Sequence, residues 1–290
     1  MRLAIITDEI SQEFEHALDV MDEYGVKGAE LRGLWGTNIA DLSDEQAARA
    51  QQALSDRQMQ VVGLATPFYK CPLEAGAVNP GEAAGDMHLA KPRGLEEQME
   101  ILRRCIALAH RLDTKLLRVF AFWRQGELTP EIAARIAAAF AEPVALAARE
   151  GVTLVLENEP SCCVGTGREA AEIAQRIDSP HFRICWDPGN AFYAGERPYP
   201  EGYAAVAPWL GHVHLKDVQR VDTPSKGLEP QCCLFGTGEI DYHGQLAALK
   251  RDGYAGFLSL EPQYVPETDG GTPEEGSRQC LAAVQRFLAD

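Results

Sequence analysis

The chain has 290 residues, 46% hydrophobic and 24% charged, with a formal net charge of −16 at pH 7. That length suits two ordinary domains or one large α/β barrel, and no linker-like tract divides it, so a single domain over 1–290 is expected. The acidic balance disfavours nucleic acid and anionic lipid as partners, no apolar run approaches the roughly eighteen residues of a membrane span, and MRLAIITDEI lacks a signal-peptide layout.

Short apolar runs follow one another along the chain with strand character: RLAIIT (2–7), KGAEL (27–31), QVVGLA (60–65), KLLRVF (115–120), VTLVLE (152–157), FRICWD (182–187), GHVHLK (211–216) and GFLSLE (256–261). Helical stretches lie between them, among them 45–57, 95–112 and 130–150, and a last one covers 273–290. Pro143 should kink or divide the third. Strand–helix units at this spacing predict an α/β fold, a (β/α)8 or TIM barrel. An open doubly wound sheet would call for a glycine-rich phosphate turn after the first strand, and TDEISQEF (7–14) contains no glycine. Two long loops, 66–94 after strand 3 and 217–240 after strand 7, are expected on the face where barrels carry their chemistry, as lids.

Side chains alternate across a strand, so parity can be followed. Val155 and Glu157 oppose Leu154 and Leu156; Cys185 and Asp187 oppose Ile184 and Trp186; His212, His214 and Lys216 oppose Val213 and Leu215; Ser259 and Glu261 oppose Leu258 and Leu260. If the polar parity faces the barrel axis, Glu157, Asp187, His214 and Glu261 converge at its C-terminal mouth. Three carboxylates there repel one another unless a cation lies between them. Three oxygens and one imidazole suit one divalent metal ion, Mn²⁺, Mg²⁺, Co²⁺, Fe²⁺ or Zn²⁺. Taken singly, each acid could instead be a helix cap or a salt-bridge partner.

LVLENEP (154–160), ICWDPGNAF (184–192), GHVHLKD (211–217), FGTGEID (235–241) and FLSLEP (257–262) resemble the xylose-isomerase-like TIM-barrel superfamily of sugar phosphate isomerase/epimerase-like proteins, over essentially the whole chain. The resemblance implies that Glu157, Asp187, His214 and Glu261 are metal ligands and that Glu157 and Glu261 are the catalytic acid/base pair. It implies a metal-dependent sugar or polyol isomerase/epimerase working through an enediolate, with a lyase or dehydratase on a keto-sugar, keto-inositol or 3-oxo-glycoside as the alternative. A non-catalytic sugar-binding barrel and an endonuclease IV-like nuclease rank lower. Ketose 3-epimerases carry a histidine where this chain has Asn190, and Gly-Glu-x-Asn-Arg where it has LKDVQR (215–220). The Lys-Asp pair is closer to inosose-type enzymes.

Four further positions are candidates for substrate binding. Lys216 is placed to meet a substrate oxygen or enolate, or to bridge Glu159 or Asp187. Asn190 is placed to meet a substrate hydroxyl or to cap the next helix. Glu30 contacts substrate or bridges Arg32 or Arg118, and Trp123 stacks on a sugar face or packs a lid. His212 belongs to the core below, GTGE (236–239) offers amides for an anion or merely ends a loop, and His88 lies in the first long loop. The expected partner is a small-molecule sugar or polyol, and a homo-oligomer is compatible with the sequence. Eight cysteines without CxxC or zinc spacing suit reduced thiols and a cytoplasmic location.

Overall fold

A computed structural model describes residues 1–77, 90–224, 226–267 and 271–289; His88 and parts of both long loops lie outside them. Eight parallel strands close a barrel: β1 (Arg2–Ile6), β2 (Gly28–Leu31), β3 (Gln60–Ala65), β4 (Leu116–Val119), β5 (Thr153–Glu157), β6 (Phe182–Trp186), β7 (Leu210–Leu215) and β8 (Phe257–Leu260). Each strand pairs with its sequence neighbours, and β8 returns to β1, with Ser259 opposite both Ala4 and His214. The expected strands are present to within a residue at each end.

The helices form for local reasons. Helix α1 spans Phe14–Glu23 and α2 spans Asp44–Asp56, the latter opened by a capping box between Ser43 and Gln46. Helix α3 is Gln98–Arg111. The stretch 130–150 divides into α4 (Pro130–Ala139) and α5 (Ala141–Glu150). The break falls at Phe140, so Pro143 occupies the first turn of α5, where no intrahelical N–H is required. Gly151 then ends α5 in the left-handed region, φ 68°. Further along come α6 (Gly167–Ile177), α7 (Pro188–Tyr193), α8 (Tyr203–Val206), α9 (Tyr242–Arg251) and α10 (Pro273–Ala289).

Parity divides the interior in two. Leu154, Leu156, Ile184, Trp186, Val213, Leu215, Leu258 and Leu260 belong to the continuous apolar core that joins the strands to the helices. Ala4, Ile6, Val62, Val155 and Cys185 are equally buried but stand outside that core, lining the barrel axis. The fully buried Trp186 anchors β6, its Nε1–H donating to Gln245 Oε1 at 3.1 Å. The connection after β7 is less open than the expected loop. It contains an antiparallel hairpin, Val218–Thr223 against Gly227–Cys232.

Candidate metal centre and active site

Four strand ends bring the polar parity to one place. Glu157 is the last residue of β5, His214 lies within β7, Glu261 follows β8, and Asp187 follows β6 as the N-cap of α7. All four are buried, and each offers one ligand atom within 4.8 Å of the others. His214 Nδ1 lies 3.3 Å from Glu157 Oε1, 3.7 Å from Glu261 Oε2 and 3.9 Å from Asp187 Oδ2.

The other carboxylate oxygens are held by fixed donors. Arg118 Nη1 donates to Glu157 Oε2 at 2.5 Å, and Arg32 Nη1 donates to Glu261 Oε1 at 2.7 Å. Asn190 Nδ2 donates to Glu157 Oε1 at 3.1 Å, while the Asn190 backbone N–H caps onto Asp187 Oδ1 at 2.9 Å. Arg32 reaches further, to Asp8 Oδ2 at 3.0 Å and Glu9 Oε1 at 2.5 Å. Asp187 Oδ2 and Glu261 Oε2 remain buried without a hydrogen bond. Lys216 Nζ lies 2.9 and 2.7 Å from them, close enough for charge pairing but not oriented to donate.

This donor set fits a divalent cation. Six carboxylates (Asp8, Glu9, Glu30, Glu157, Asp187 and Glu261) share one buried network with three permanent cations (Arg32, Arg118 and Lys216). Buried charge of one sign is costly without compensation. A divalent ion held by Asp187, Glu261, Glu157 and His214 would offset two of the three unmatched negative charges. The three oxygens and one nitrogen suit several first-row metals and magnesium.

Ionisation reflects the same imbalance. Burial pushes the Asp187 carboxyl up to about 6; Lys216 opposes this, and Glu261 and Glu157 reinforce it. Burial also acts upward on Glu261, but Lys216, His214 and Arg32 win against it and against Glu157, leaving the group at about 2. Glu157 is held well below the carboxylate range because Arg118, His214 and Lys216 together outweigh burial. Burial alone would lower Lys216, yet the three carboxylates facing it raise its pKa well above the ordinary value.

A raised Asp187 pKa means that the folded, metal-free chain binds a proton that the unfolded chain releases. Asp187 therefore subtracts stability progressively as pH rises from about 4 to 6, and all of that loss is present at pH 7. Asp187→Asn keeps a capping side chain and is expected to stabilise the metal-free protein by roughly 1–3 kcal/mol at pH 7. Urea denaturation in EDTA checks this: the gain should disappear at pH 4, and a destabilised variant at pH 7 would contradict it.

The cluster opens into a cavity of about 400 Å³ lined by Lys70, Arg118, Glu157, Glu159, Pro160, Asn190, Tyr193, Lys216, Glu261 and Gln263. A larger cavity of about 590 Å³ at the opposite, N-terminal end, around Arg2, Lys27 and Phe257, has no acid in its lining. The first is the one that adjoins Glu157 and Glu261 of the four-residue cluster.

The family described as xylose isomerase-like TIM barrel matches residues 18–286. The chain belongs to that family. An uncharacterized protein of Methanocaldococcus jannaschii is 26% identical over 201 residues, covering 66% of this chain and 65% of that one. A 3-oxo-isoapionate decarboxylase of Pectobacterium atrosepticum is 36% identical over 76 residues, or 26% of this chain and 27% of that one. The chain thus spans about two-thirds of the first curated relative's length and about a quarter of the second's. Among solved structures, the probable 3-DHS dehydratase AsbF of Bacillus anthracis matches with a TM-score of 0.73 at 17% identity, over 100% of this chain and 99% of that one. The IolI protein with a bound zinc atom gives 0.73 at 16% identity, over 100% and 98%. An L-ribulose 3-epimerase gives 0.71 at 19% identity, over 99% and 94%. At these identities, what the likenesses show is the fold.

Within this xylose isomerase-like barrel, the residues singled out from sequence fall into three groups. Glu157, Asp187, His214 and Glu261 meet, with Lys216 and Asn190 beside them on the cavity wall. The Lys216 bridge to Asp187 forms, and Lys216 Nζ also donates to Asn190 Oδ1 at 3.1 Å. The cap of α7 is Asp187 rather than Asn190, whose side chain is free to join Glu157 to Lys216.

Glu30 and Trp123 are not among the residues that line the cavity. Glu30 is 1% exposed, bridges neither Arg32 nor Arg118, and lines no part of the cavity, because His212 and His214 occupy both its oxygens. Trp123 is 9% exposed and packs with Phe120 and Cys162. The Lys70 ammonium, on the cavity wall, lies 5.4 Å from its ring. The amides of GTGE serve no external anion: Gly236 and Gly238 both donate to Asp217 Oδ2, at 2.8 and 3.0 Å.

The sequence does not single out Glu9, Lys70 or Gln263, and it offers Arg32 and Arg118 only as bridging partners of Glu30. Arg118 had a readable signal, a charge in mid-strand with the inward parity. Lys70 pairs with Glu159 at 3.0 Å at the cavity wall, a contact between two loops that no strand pattern announces.

Proposed function

We propose that the chain is a divalent-metal-dependent isomerase or epimerase of a small sugar or polyol, built as one catalytic domain. The observation that carries this reading is the pair Glu157 and Glu261. Each is buried on its own strand end and clamped through one oxygen by its own arginine, and each turns the other oxygen towards Asp187, His214 and the cavity. A binding module has no need of two carboxylates fixed in that way.

Glu157, Asp187, His214 and Glu261 would hold the cation, which when bound supplies Lewis-acid polarisation of a carbonyl and its neighbouring hydroxyl. One glutamate takes the proton from the carbon beside the carbonyl, and the C–H electron pair moves into the substrate's enediolate. The other returns a proton: to the opposite face of the same carbon for epimerisation, or to the adjacent carbon for aldose–ketose exchange. Arg118 and Arg32 aim the two carboxylates; the abstracting one starts the step ionised, and the other starts it carrying the proton that it returns. Lys216, Asn190 and the cavity-wall side chains Lys70, Glu159 and Gln263 offer donors and acceptors to hydroxyl groups.

A second reading, a lyase or dehydratase on the same site, draws on Lys216. Its buried ammonium, 2.7 Å from Glu261, is placed to give a proton to a departing hydroxyl or alkoxide. Manganese-loaded protein, incubated in D₂O with ketoses, inososes and 3-oxo-glycosides and followed by NMR, separates the two. Deuterium entering beside the carbonyl with the skeleton intact is the expected result. Loss of water or aglycone would favour the lyase, and no exchange with any substrate would overturn both.

A further inference from the structure

Glu30 is the one acid of the buried network whose ion pairs, among the described residues, are with imidazoles alone. Its Oε2 is 2.9 Å from His212 Nε2 and its Oε1 is 3.1 Å from His214 Nε2. A carboxylate only accepts, so both facing ring nitrogens carry their protons. In a neutral imidazole the lone pair then resides on the other nitrogen. For His214 that nitrogen is Nδ1, which faces Glu261 and Asp187 and also lies 3.3 Å from the acceptor-only Glu157 Oε1, so in the metal-free chain it carries a proton too; a cation bound there would take that proton's place and leave Nε2–H on Glu30.

We propose that Glu30 is the positioning residue of the metal centre: it fixes His214 in the orientation and tautomer that present Nδ1 to the cation, and His212 anchors the carboxylate against rotation. This rests on the reading of the four-residue cluster as a cation site. The two rings stand edge to face, centroids 5.4 Å apart at 84°, so a carboxylate on β2 reaches two successive inward positions of β7. Outer partners of this kind typically change metal affinity about 10–100-fold when removed. Glu30, His212 and His214 could also be taken as a second cation site, since they too form a compact group. Their mutual hydrogen bonds leave neither Glu30 oxygen without a partner, which assigns them to support.

The test uses the full chain, stripped with EDTA and titrated with cobalt(II) by equilibrium dialysis and visible absorption. Wild type should take one equivalent. Glu30→Gln should bind cobalt about 10–100-fold more weakly with an altered visible spectrum, and Glu30→Asp should fall between them. Unchanged affinity and spectrum in Glu30→Gln would overturn the proposal. So would two equivalents in wild type with the second lost in Glu30→Gln, which would make Glu30 a ligand. Should the variants fail to fold, ¹⁵N-histidine NMR of zinc-loaded wild type decides: coordination through His214 Nδ1 with a protonated Nε2 is expected, and coordination through Nε2 overturns it. A wild type that binds no cobalt fails at the cation site itself, and this proposal falls with it.

Discussion

Glu157→Gln and Glu261→Gln are each expected to slow substrate proton exchange in D₂O by about 10²–10⁴-fold. Glutamine keeps the shape and the hydrogen bond from the neighbouring guanidinium but cannot take a proton from carbon. It also removes one anionic ligand, so metal affinity should fall together with rate. The two effects separate at saturating metal: the affinity loss is then overcome while the rate defect stays. Restoration of wild-type exchange by added metal would mean that neither glutamate moves a proton. The geometry further predicts that the two variants are not equivalent. Glu157 Oε1 accepts hydrogen bonds from Asn190 and His214, whereas Glu261 Oε2 accepts none and has Lys216 Nζ at 2.7 Å and His214 Nδ1 at 3.7 Å as its charged neighbours.

Arg32→Met carries the largest stability effect. The guanidinium compensates Asp8, Glu9 and Glu261 at once, at 3.0, 2.5 and 2.7 Å, in a nearly solvent-free setting. Removing one partner of a buried charge cluster costs about 3–5 kcal/mol, because the others are left uncompensated. The pH sign follows. Without Arg32, burial and mutual repulsion would hold the folded pKa values of these acids above their unfolded ones, as burial already does for Glu9. The loss is therefore small near pH 4, grows as pH rises and is complete at neutrality. Urea midpoints at pH 4 and pH 7 measure it; equal losses at both would contradict the electrostatic account.

Strand positions and the four converging side chains could be foreseen because both follow from alternation along single segments. Leucine at 154, 156, 258 and 260 must face the helices, which leaves Glu157 and Glu261 no direction but the axis. What stayed hidden depends on closure of the barrel. Arg32 and Glu261 are 229 positions apart, and Glu30 and His214 are 184 apart. No local pattern says that the start of the chain will support its end. Trp123 and GTGE stayed open between two readings for a related reason. A loop residue's role depends on what packs over it, here Phe120 and Cys162 for the ring and Asp217 for the amides. The hairpin at 218–232 was obscured by its polar composition and by Pro230, which sits within a two-stranded ribbon, the kind of edge that tolerates proline.

Equilibrium dialysis of the EDTA-stripped chain against manganese tests the central claim most directly. The account predicts one equivalent bound by the wild-type chain and a large loss of affinity in a chain carrying both Asp187→Asn and His214→Asn. A wild-type chain that binds no manganese, or a double variant that binds it as tightly as wild type, would contradict it.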